Sequence, residues 1–515
     1  MATRRSVAAL ISVAVVSGCA SRPPVPALVV PEVSAASRTV SPAVGELRQD
    51  LTRLFSHPTL EHSILGVLVR SLDRDEDLYS LNPRTLLDPA SAAKIVTLAA
   101  AVDRLGWSYQ YETQLLSSAP IDRGVLRGNL FARGTGDPTI NAPDSDEALF
   151  SMWAAELRAT GIRKIDGQIV GDDNALTECG AIDAFAGVGP GWAWDDLALS
   201  FATSSGALQH RENVTTVVIE PGPRIGSRAT VHLDSSSGLE LVNRVLTSNE
   251  DTEFIVTMRR LPGQSRLVIN GSIPTSSSAV SRLVSVNNPT IFFVKALRQA
   301  LIHNGISVTG NAVDIDDLPP QTLLASQHTP RVLAVHRSKP LSEIAVDMMK
   351  RSQNLYAESI FRTLSLEASE KPALGSLAII ANLLKSWGLE NDQFRIADGS
   401  GLSPYTLLTA EVLVTVLDRM HSNPINQMNF EQTLPLAGHD GTLTTRMRGT
   451  PAEGNARAKT GTKTHARALA GYVWTQDGEQ LAFAILANNF QVPAKEIIRV
   501  IDAAVSRLAK FRRRY

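Results

Sequence analysis

Three short motifs contain the residues whose types and spacing could do chemistry. They are SAAK at Ser91–Lys94, SQN at Ser352–Asn354 and KTGT at Lys459–Thr462, called here the first, second and third motifs. Ser-x-x-Lys and Lys-Thr-Gly each occur once in the chain, whereas Ser-x-Asn occurs three times. A serine hydroxyl attacks a carbonyl carbon well only when a base removes its proton. The set and its order therefore indicate an acyl-transfer site, although each motif alone is weak support.

The first motif predicts a nucleophile and its base. Pro89 and Ser91 are helix start signals, and an apolar stripe follows them. Residues three apart share a helix face, so we expect Ser91 to be the nucleophile and Lys94 the general base. An amine is a base only when neutral, which requires burial or a nearby cation, and Lys459 is the expected cation. The alternative to a catalytic role is that the motif begins an ordinary capped helix at the surface, whose lysine is merely solvated.

The second motif lies between two helical patterns, LSEIAVDMMK and LYAESIFRTL. A junction of two helices can expose polar side chains to a cleft. We expect Ser352 to relay a proton to the leaving nitrogen. Asn354 is expected to hydrogen-bond to Lys94 and to the peptide backbone of a substrate. The alternative interpretation is ordinary helix capping.

The third motif is predicted to lie on a strand. Lys459 and Thr460 are candidates for binding a carboxylate, and Gly461 would let a substrate backbone lie close to the strand. The backbone N–H groups of Thr462 and Ser91 together would form an oxyanion hole. A Lys-Thr-Gly turn without a function is the alternative.

The elements that must position these motifs come from both ends of the chain. Alternating apolar residues predict a strand over 63–72 and a return strand through Leu78 and Tyr79. The segments ARALAGYVWT and QLAFAILANN predict a hairpin, and PAKEIIRVIDAAVSRLAKF predicts a C-terminal helix. We therefore expect one antiparallel sheet completed by the two ends of the chain.

The long interval between the first two motifs predicts an insertion. Ser91 and Ser352 are 261 positions apart, more than one compact catalytic domain needs between neighbouring site elements. Short alternating strands such as KIDGQIVGDD and VTTVVIEPG fill this interval, with a helix at NPTIFFVKALRQALIHNG. We predict a catalytic domain from 46–116 and 331–515, and one or two β-rich inserted domains at 117–330.

The N-terminus predicts export and lipidation. Arg4 and Arg5 precede an apolar run that is too short to span a bilayer, and Cys19 follows small residues. We interpret 1–19 as a lipoprotein signal peptide with lipidation at Cys19, and 20–45 as a Pro/Ser/Ala-rich tether. An ordinary secretory signal cleaved near Ala20 is the alternative. The location expected is periplasmic, on a membrane.

The composition argues against several other classes of function. The net charge of the 515-residue chain is −1, so no global field favours nucleic acid. The histidines are scattered and no phosphate-binding loop is present, so we expect no metal and no cofactor. His439 and His465 are interpreted as structural, and Asp172 and Asp173 as turn residues.

The motifs together resemble those of the low-molecular-mass class C penicillin-binding proteins, the D-alanyl-D-alanine carboxypeptidase/endopeptidase family of S13-like serine peptidases. The resemblance covers roughly residues 60–510. It also rests on GTGDPTI at Gly134–Ile140, GWAWDDL at Gly191–Leu197 and DGSGLS at Asp398–Ser403, after which Pro404-Tyr405 is a mild departure. It implies an α+β fold: a penicillin-recognising transpeptidase-like domain, with an antiparallel sheet and helices on both faces, interrupted by β-rich inserted domains.

The resemblance implies hydrolysis of the terminal D-Ala-D-Ala bond of peptidoglycan stem peptides, or of their cross-links, through an acyl-enzyme. It also implies covalent inhibition by β-lactams. The membrane contact that we expect, through the N-terminal lipid, comes from the signal-like segment and not from the resemblance. A serine β-lactamase is one alternative, but it needs a dedicated glutamate for deacylation and a short interval between the first two motifs. A non-catalytic binding lipoprotein is the other. The sequence does not separate carboxypeptidase from endopeptidase.

Overall fold

The computed structural model describes residues 41–143, 148–177, 187–319, 329–366 and 375–513. The predicted signal peptide, Cys19 and the tether up to residue 40 lie outside the described residues. The last four residues of the predicted tether, 42–45, belong instead to a helix that begins at Pro42, because Ala43 and Val44 are buried with the rest of its apolar face.

The helices and strands have the following bounds. The α-helices are α1 (Pro42–Phe55), α2 (Lys94–Leu105), α3 (Leu149–Ala159), α4 (Asn174–Thr177), α5 (Pro289–His303), α6 (Leu341–Lys350), α7 (Asn354–Leu366), α8 (Gly375–Ser386), α9 (Ala410–His421), α10 (Pro424–Thr433) and α11 (Ala494–Ala509). The strands are β1 (Ile64–Ser71), β2 (Glu76–Leu81), β3 (Glu112–Ser117), β4 (Ile121–Asp122), β5 (Val125–Leu126), β6 (Leu130–Gly134), β7 (Lys164–Ile165), β8 (Ile169–Asp172), β9 (Val214–Glu220), β10 (Thr230–Leu233), β11 (Glu240–Ser248), β12 (Ile255–Arg259), β13 (Arg266–Pro274), β14 (Val280–Ser285), β15 (Ser307–Val308), β16 (Ala312–Asp314), β17 (Arg331–Arg337), β18 (Phe394–Arg395), β19 (Leu407–Leu408), β20 (Arg457–Lys463), β21 (Ala466–Trp474) and β22 (Gln480–Asn488). In the described part of the chain, no helix combines the length and the apolar character that a bilayer crossing requires.

The two ends of the chain complete one antiparallel sheet, as predicted. Its strand order is β2-β1-β22-β21-β20, and every pairing in it is antiparallel. The N-terminal strand β1 pairs along its whole length with β22, so that Val67 lies opposite Ile485. We call this the terminal sheet. Strand β20, which carries the third motif, is one of its two edges, and β2 is the other.

Helices cover both faces of the terminal sheet, because its central strands are buried on both sides. Successive side chains of a strand point to opposite faces. One face of β22 packs in a core with α2, α6, α7 and α9, and the other packs with α1 and α11. The first set of β22 residues is Ala482, Ala484 and Leu486, and the second is Leu481, Phe483 and Ile485. The α+β prediction with helices on both faces is confirmed.

The interval between the first two motifs folds into further sheets, as predicted. The part of it that forms these sheets starts and ends on neighbouring strands, since β3 pairs antiparallel with β17. Two sheets, β16-β8-β6-β3-β17 and β15-β7-β5-β4, share a core with α3 and α5. Two more, β10-β9-β14 and β11-β13-β12, enclose a second core. Strand β3 crosses the predicted domain boundary at residue 116, and that boundary stays a prediction.

Candidate active site

The structure brings Ser91 and Lys94 together. Ser91 lies in a short 3₁₀ helix, Ala90–Ala93, and Lys94 is the first residue of α2. The Lys94 side chain is fully buried. Its Nζ donates hydrogen bonds to Ser91 Oγ at 2.9 Å, to Asn354 Oδ1 at 2.6 Å and to the Ser400 carbonyl oxygen at 2.9 Å. The amine therefore touches the nucleophile candidate and the second motif at once.

A network around Asp88 holds the turn that carries Ser91. Ala90 has a left-handed φ of 46°, which is uncommon for alanine and needs support from its surroundings. Asp88 supplies it: its Oδ1 accepts from the Ala90 N–H at 2.8 Å, and its Oδ2 lies 2.7 Å from Lys463 Nζ. Asn488 on β22 hydrogen-bonds to the Asp88 backbone in both directions. The turn that carries Ser91 is thereby tied to two strands of the terminal sheet.

The second motif lies at the junction of α6 and α7, as predicted. Ser352 has a left-handed φ of 59°, and Asn354 begins α7. Ser352 Oγ accepts a hydrogen bond from Lys459 Nζ at 2.8 Å. Asn354 Nδ2 donates to the Phe201 carbonyl oxygen at 2.8 Å, while its Oδ1 faces Lys94. The second motif thus connects the first motif with the third.

The third motif lies on the edge strand β20. Lys459 is fully buried, and its Nζ also donates to the Thr460 carbonyl oxygen at 3.0 Å. Thr460 Oγ1 donates to Thr442 Oγ1 at 2.8 Å, and Thr462 is exposed. A Cβ added to Gly461 would lie 2.2 Å from the Pro89 carbonyl oxygen. Glycine is therefore required here because the turn that carries Ser91 approaches the strand, a reason that the sequence did not provide.

The two lysines have strongly perturbed pKa values. Burial lowers the pKa of the Lys94 amine to about 7, while the charges of Glu358 and Asp398 act in the opposite direction. Burial also lowers the pKa of Lys459 well below its usual value, and the charge of Lys94 lowers it further. Burial, one of the two causes that we expected for a neutral Lys94, is thus the main cause of its lowered pKa. Repulsion between the two amines still disfavours charging both.

Glu358 is a buried carboxyl group that sequence reasoning missed. It lies on α7 one turn after Asn354, and its Oε1 accepts from the Ser400 N–H at 2.7 Å. Burial raises the pKa of Glu358 to about 7, and the charge of Asp398 raises it further. Ser400 therefore connects Glu358 to Lys94 through its two backbone groups. An acidic residue within an apolar helix face, four positions after Asn354, was the available signal.

The DGSGLS string forms the loop that contains Ser400, and Asp398 organises it. The carboxylate of Asp398 accepts from the Ser403 N–H at 2.6 Å and from Thr406 Oγ1 at 2.7 Å. Trp192 Nε1 of the GWAWDDL string donates to Asp398 Oδ2 at 3.0 Å. The Tyr405 ring, at the departure noted in the sequence, lies directly against Gly191. The inserted segment therefore contacts the loop that accepts from Lys94.

The remaining candidates lie in structural contacts. Asp172 ends β8 and pairs with Arg133 at 2.6 Å. Asp173 accepts from Thr290 at 2.6 Å, and its carboxylate lies near those of two other aspartates in the described chain. His465 Nδ1 is 2.8 Å from the Phe490 carbonyl oxygen.

Comparison with known proteins finds relatives that match most of the chain. The model of the D-Ala-D-Ala carboxypeptidase 3 (S13) family matches residues 47–510. A D-alanyl-D-alanine carboxypeptidase of Actinomadura sp. (strain R39) is 34% identical over 479 residues, covering 90% of this chain and 85% of that protein. The D-alanyl-D-alanine carboxypeptidase DacB of Haemophilus influenzae is 28% identical, covering 84% of this chain and 86% of that protein.

A solved structure has the same fold over nearly the whole chain. It is the crystal structure of penicillin binding protein 4 (dacB) from Haemophilus influenzae, with a TM-score of 0.78, 25% sequence identity, and coverage of 90% of this chain and 100% of that chain. The same protein complexed with a novel β-lactam matches with a TM-score of 0.71, at the same identity and coverage. The family match, the identity to the curated relatives and the shared fold agree: this chain belongs to the D-Ala-D-Ala carboxypeptidase 3 (S13) family of peptidases.

Proposed function

We propose that the chain is a serine DD-peptidase that hydrolyses the terminal D-Ala-D-Ala bond of peptidoglycan stem peptides through an acyl-enzyme on Ser91. The observation that carries the proposal is the contact of Lys94 Nζ with Ser91 Oγ at 2.9 Å, in a chain of the S13 family. The enzyme is a D-Ala-D-Ala carboxypeptidase. Endopeptidase cleavage of cross-links uses the same bond chemistry and is a second proposed activity.

Acylation starts with a neutral Lys94. Because burial lowers the pKa of its amine to about 7, the neutral form is available near neutral pH. Lys94 removes the proton of Ser91 Oγ, and the oxygen attacks the carbonyl carbon of the penultimate D-Ala. The backbone N–H groups of Ser91 and Thr462 are proposed to stabilise the oxyanion. The C–N bond breaks after a proton passes through Ser352 to the leaving nitrogen, and D-Ala departs.

The third motif is proposed to select a substrate with a free C-terminus. Lys459 and Thr460 would bind the terminal carboxylate, and Gly461 and Thr462 would lie along the substrate backbone. Asn354 would orient both Lys94 and the peptide. Water then attacks the ester carbonyl carbon, releases the shortened peptide and returns the proton to Ser91.

β-Lactams are ligands of the same site. Their strained amide acylates Ser91 as a peptide would, but the nitrogen that leaves stays attached to the acyl group through the opened ring. It therefore still occupies the space that a departing D-Ala would vacate, which slows attack by water. Slow hydrolysis distinguishes the peptidase from a β-lactamase.

Release of D-Ala from a pentapeptide stem tests the function. The wild-type protein should release D-Ala and be labelled covalently by fluorescent penicillin, and Ser91→Ala should do neither. D-Ala release by Ser91→Ala would contradict the proposal, and rapid turnover of a chromogenic cephalosporin would favour a β-lactamase. Labelling without peptidase activity would favour a non-catalytic binder. Mass spectrometry of cross-linked muropeptides separates carboxypeptidase from endopeptidase.

The proposed location is extracytoplasmic, in the periplasm, with a lipid on Cys19. The signal-like segment at 1–19 and the Pro-rich sequence that follows it support this proposal. In the same proposal the catalytic domain comprises 46–116 and 331–515, and the insertion comprises 117–330. The lipid is tested with Cys19→Ser, which should move the protein from the membrane fraction to the soluble fraction. A variant that stays in the membrane fraction would contradict lipid anchoring.

A further inference from the structure

A loop of the inserted segment has an unusual backbone next to the second motif. Arg211, Glu212 and Asn213 are consecutive non-glycine residues with left-handed φ values of 51°, 54° and 56°. Such residues are strained, and a run of three persists only where the surroundings hold it. Asn213 provides part of that support, since its Nδ2 donates to the Ser204 carbonyl oxygen at 2.8 Å and to Gln209 Oε1 at 3.1 Å. The loop therefore has a fixed shape.

This shape presents the buried carboxylate of Glu212 to both neighbours of Ser352. Arg351 donates from Nη1 to Oε1 at 2.8 Å and from Nη2 to Oε2 at 3.1 Å. Gln353 Nε2 donates to Oε2 at 2.8 Å. Bidentate charge-assisted pairs of this kind fix orientation as well as distance. One side chain thus holds the residues before and after the second-motif serine.

Ser352 needs such support for two reasons. Its own φ of 59° is left-handed, a conformation that serine adopts only with help from its neighbours. Its Oγ must also stay aligned with Lys459 Nζ, now 2.8 Å away. A proton relay is sensitive to such alignment, because its donor and acceptor must be within hydrogen-bond reach.

We propose that Glu212 is a positioning residue of the peptidase, which clamps Arg351 and Gln353 so that Ser352 Oγ points at the leaving nitrogen and at Lys459. The inference rests on the proposed function, since it concerns the proton relay of that reaction. It gives the inserted segment a catalytic purpose: the segment contributes the clamp without itself touching the reacting atoms.

The variant Glu212→Gln tests the clamp with little change in shape. Glutamine keeps one acceptor oxygen but loses the charge and the bidentate pair with Arg351. Arg351 is 38% exposed, so water can solvate its charge after the change. The matched control is Glu479→Gln, because Glu479 is also buried, also binds an arginine (Arg513) through both oxygens, and accepts a third bond from Ser71. These partners lie outside the three motifs.

We expect Glu212→Gln to lower kcat for D-Ala release about tenfold, the scale of one lost charge-assisted hydrogen bond. KM should change little, because the clamp does not contact substrate. The acylation rate with fluorescent penicillin should fall by a similar factor. Glu479→Gln should change neither rate, even if it lowers the thermal unfolding midpoint as much.

A double-mutant cycle with Ser352→Ala separates positioning from a general effect on the fold. Penicillin acylation of Ser352→Ala should be slow, because the proposed proton relay is lost, and it is followed over hours. If Glu212 acts through Ser352, Glu212→Gln has little further effect in that background. An equal factor in both backgrounds, or a Glu212→Gln rate equal to that of the control, would overturn the proposal. If the wild type acylates but releases no D-Ala, the peptidase function fails while the acylation cycle still decides the clamp.

Discussion

Replacement of Glu358 by glutamine should shift the pH profile of the enzyme to lower pH. Glu358 is linked to Lys94 through Ser400, whose N–H donates to the carboxylate and whose carbonyl oxygen accepts from the amine. Burial lowers the Lys94 pKa, and the negative charge of Glu358 partly offsets that effect. Without this charge the ammonium form of Lys94 is less stable, so its pKa falls further. Glutamine keeps the oxygen that accepts from Ser400, so the loop should remain in place.

The size of the shift follows from the geometry. With standard bond lengths across Ser400, the carboxylate and the amine are roughly 7 Å apart. At an effective dielectric constant of about 20, a full charge at that distance stabilises the ammonium by about 2 kcal/mol. The pKa of Glu358 is itself raised to about 7, so about half of its charge is present at the midpoint of the Lys94 titration. The expected shift is therefore roughly 1 kcal/mol, or about 0.7 pH unit.

The acid limb of the kcat/KM profile measures this shift, because it reports the pKa of the base in the free enzyme. The wild-type rate should rise with pH through about 7, where Lys94 loses its proton, and the variant rate should rise earlier. Glu343→Gln is the control, since this exposed glutamate on α6 changes the net charge equally. An unchanged acid limb, or a shift to higher pH, would refute the assignment of Lys94 as base or of Glu358 as its counter-charge.

The other predictions concern the third motif and the loop at Asp398. Lys459→Met should lower kcat/KM for a peptide with a free C-terminus about tenfold to a hundredfold, because a charge-assisted hydrogen bond to the substrate carboxylate is lost. Steady-state kinetics measure this effect, and an unchanged kcat/KM would contradict the proposed carboxylate site. Gly461→Ala should abolish labelling by fluorescent penicillin. The new Cβ would lie 2.2 Å from the Pro89 carbonyl oxygen, so it must displace the turn that carries Ser91. Labelling at the wild-type rate would show that this turn can move freely. Trp192→Phe removes the indole N–H that donates to Asp398. The free energy of unfolding in urea titrations should fall by about 1–3 kcal/mol. An unchanged midpoint would mean that this buried hydrogen bond adds no stability.

The sequence predicted the elements whose signals are local. The sequence predicted β1 and the β21–β22 hairpin because short apolar stretches between turn residues are typical of strands in a buried sheet. Helix α11 has an apolar stripe with helical spacing, and that stripe packs on the terminal sheet. The second motif fell between two helical patterns, and it occupies that junction in the structure. The motifs could therefore be placed on elements before any tertiary contact was known.

The features that the sequence did not provide depend on tertiary contacts. In the sequence Glu358 is only an acidic residue within a predicted helix. Its hydrogen bond from the Ser400 N–H forms only when the loop containing Ser400 packs on α7. The left-handed loop at Glu212 contains no glycine, so the commonest sequence signal for left-handed backbone is missing there. The low pKa of Lys94 results mainly from burial, which depends on the packing of several distant segments. In each case the chemistry is set by residues that the motifs do not contain.

The two buried lysines differ in whether negatively charged groups lie near them. Lys94 has Glu358 and Asp398 nearby to favour its ammonium form, whereas Lys459 binds the neutral oxygens of Ser352 and Thr460, and no carboxylate of the described residues pairs with it. In the proposed reaction the substrate brings the missing carboxylate to Lys459 and stabilises its charge. An ammonium group at Lys459 opposes one at Lys94, so binding favours loss of the Lys94 proton just when Ser91 must be deprotonated. The free C-terminus of the substrate thus contributes to activation of the base as well as to binding.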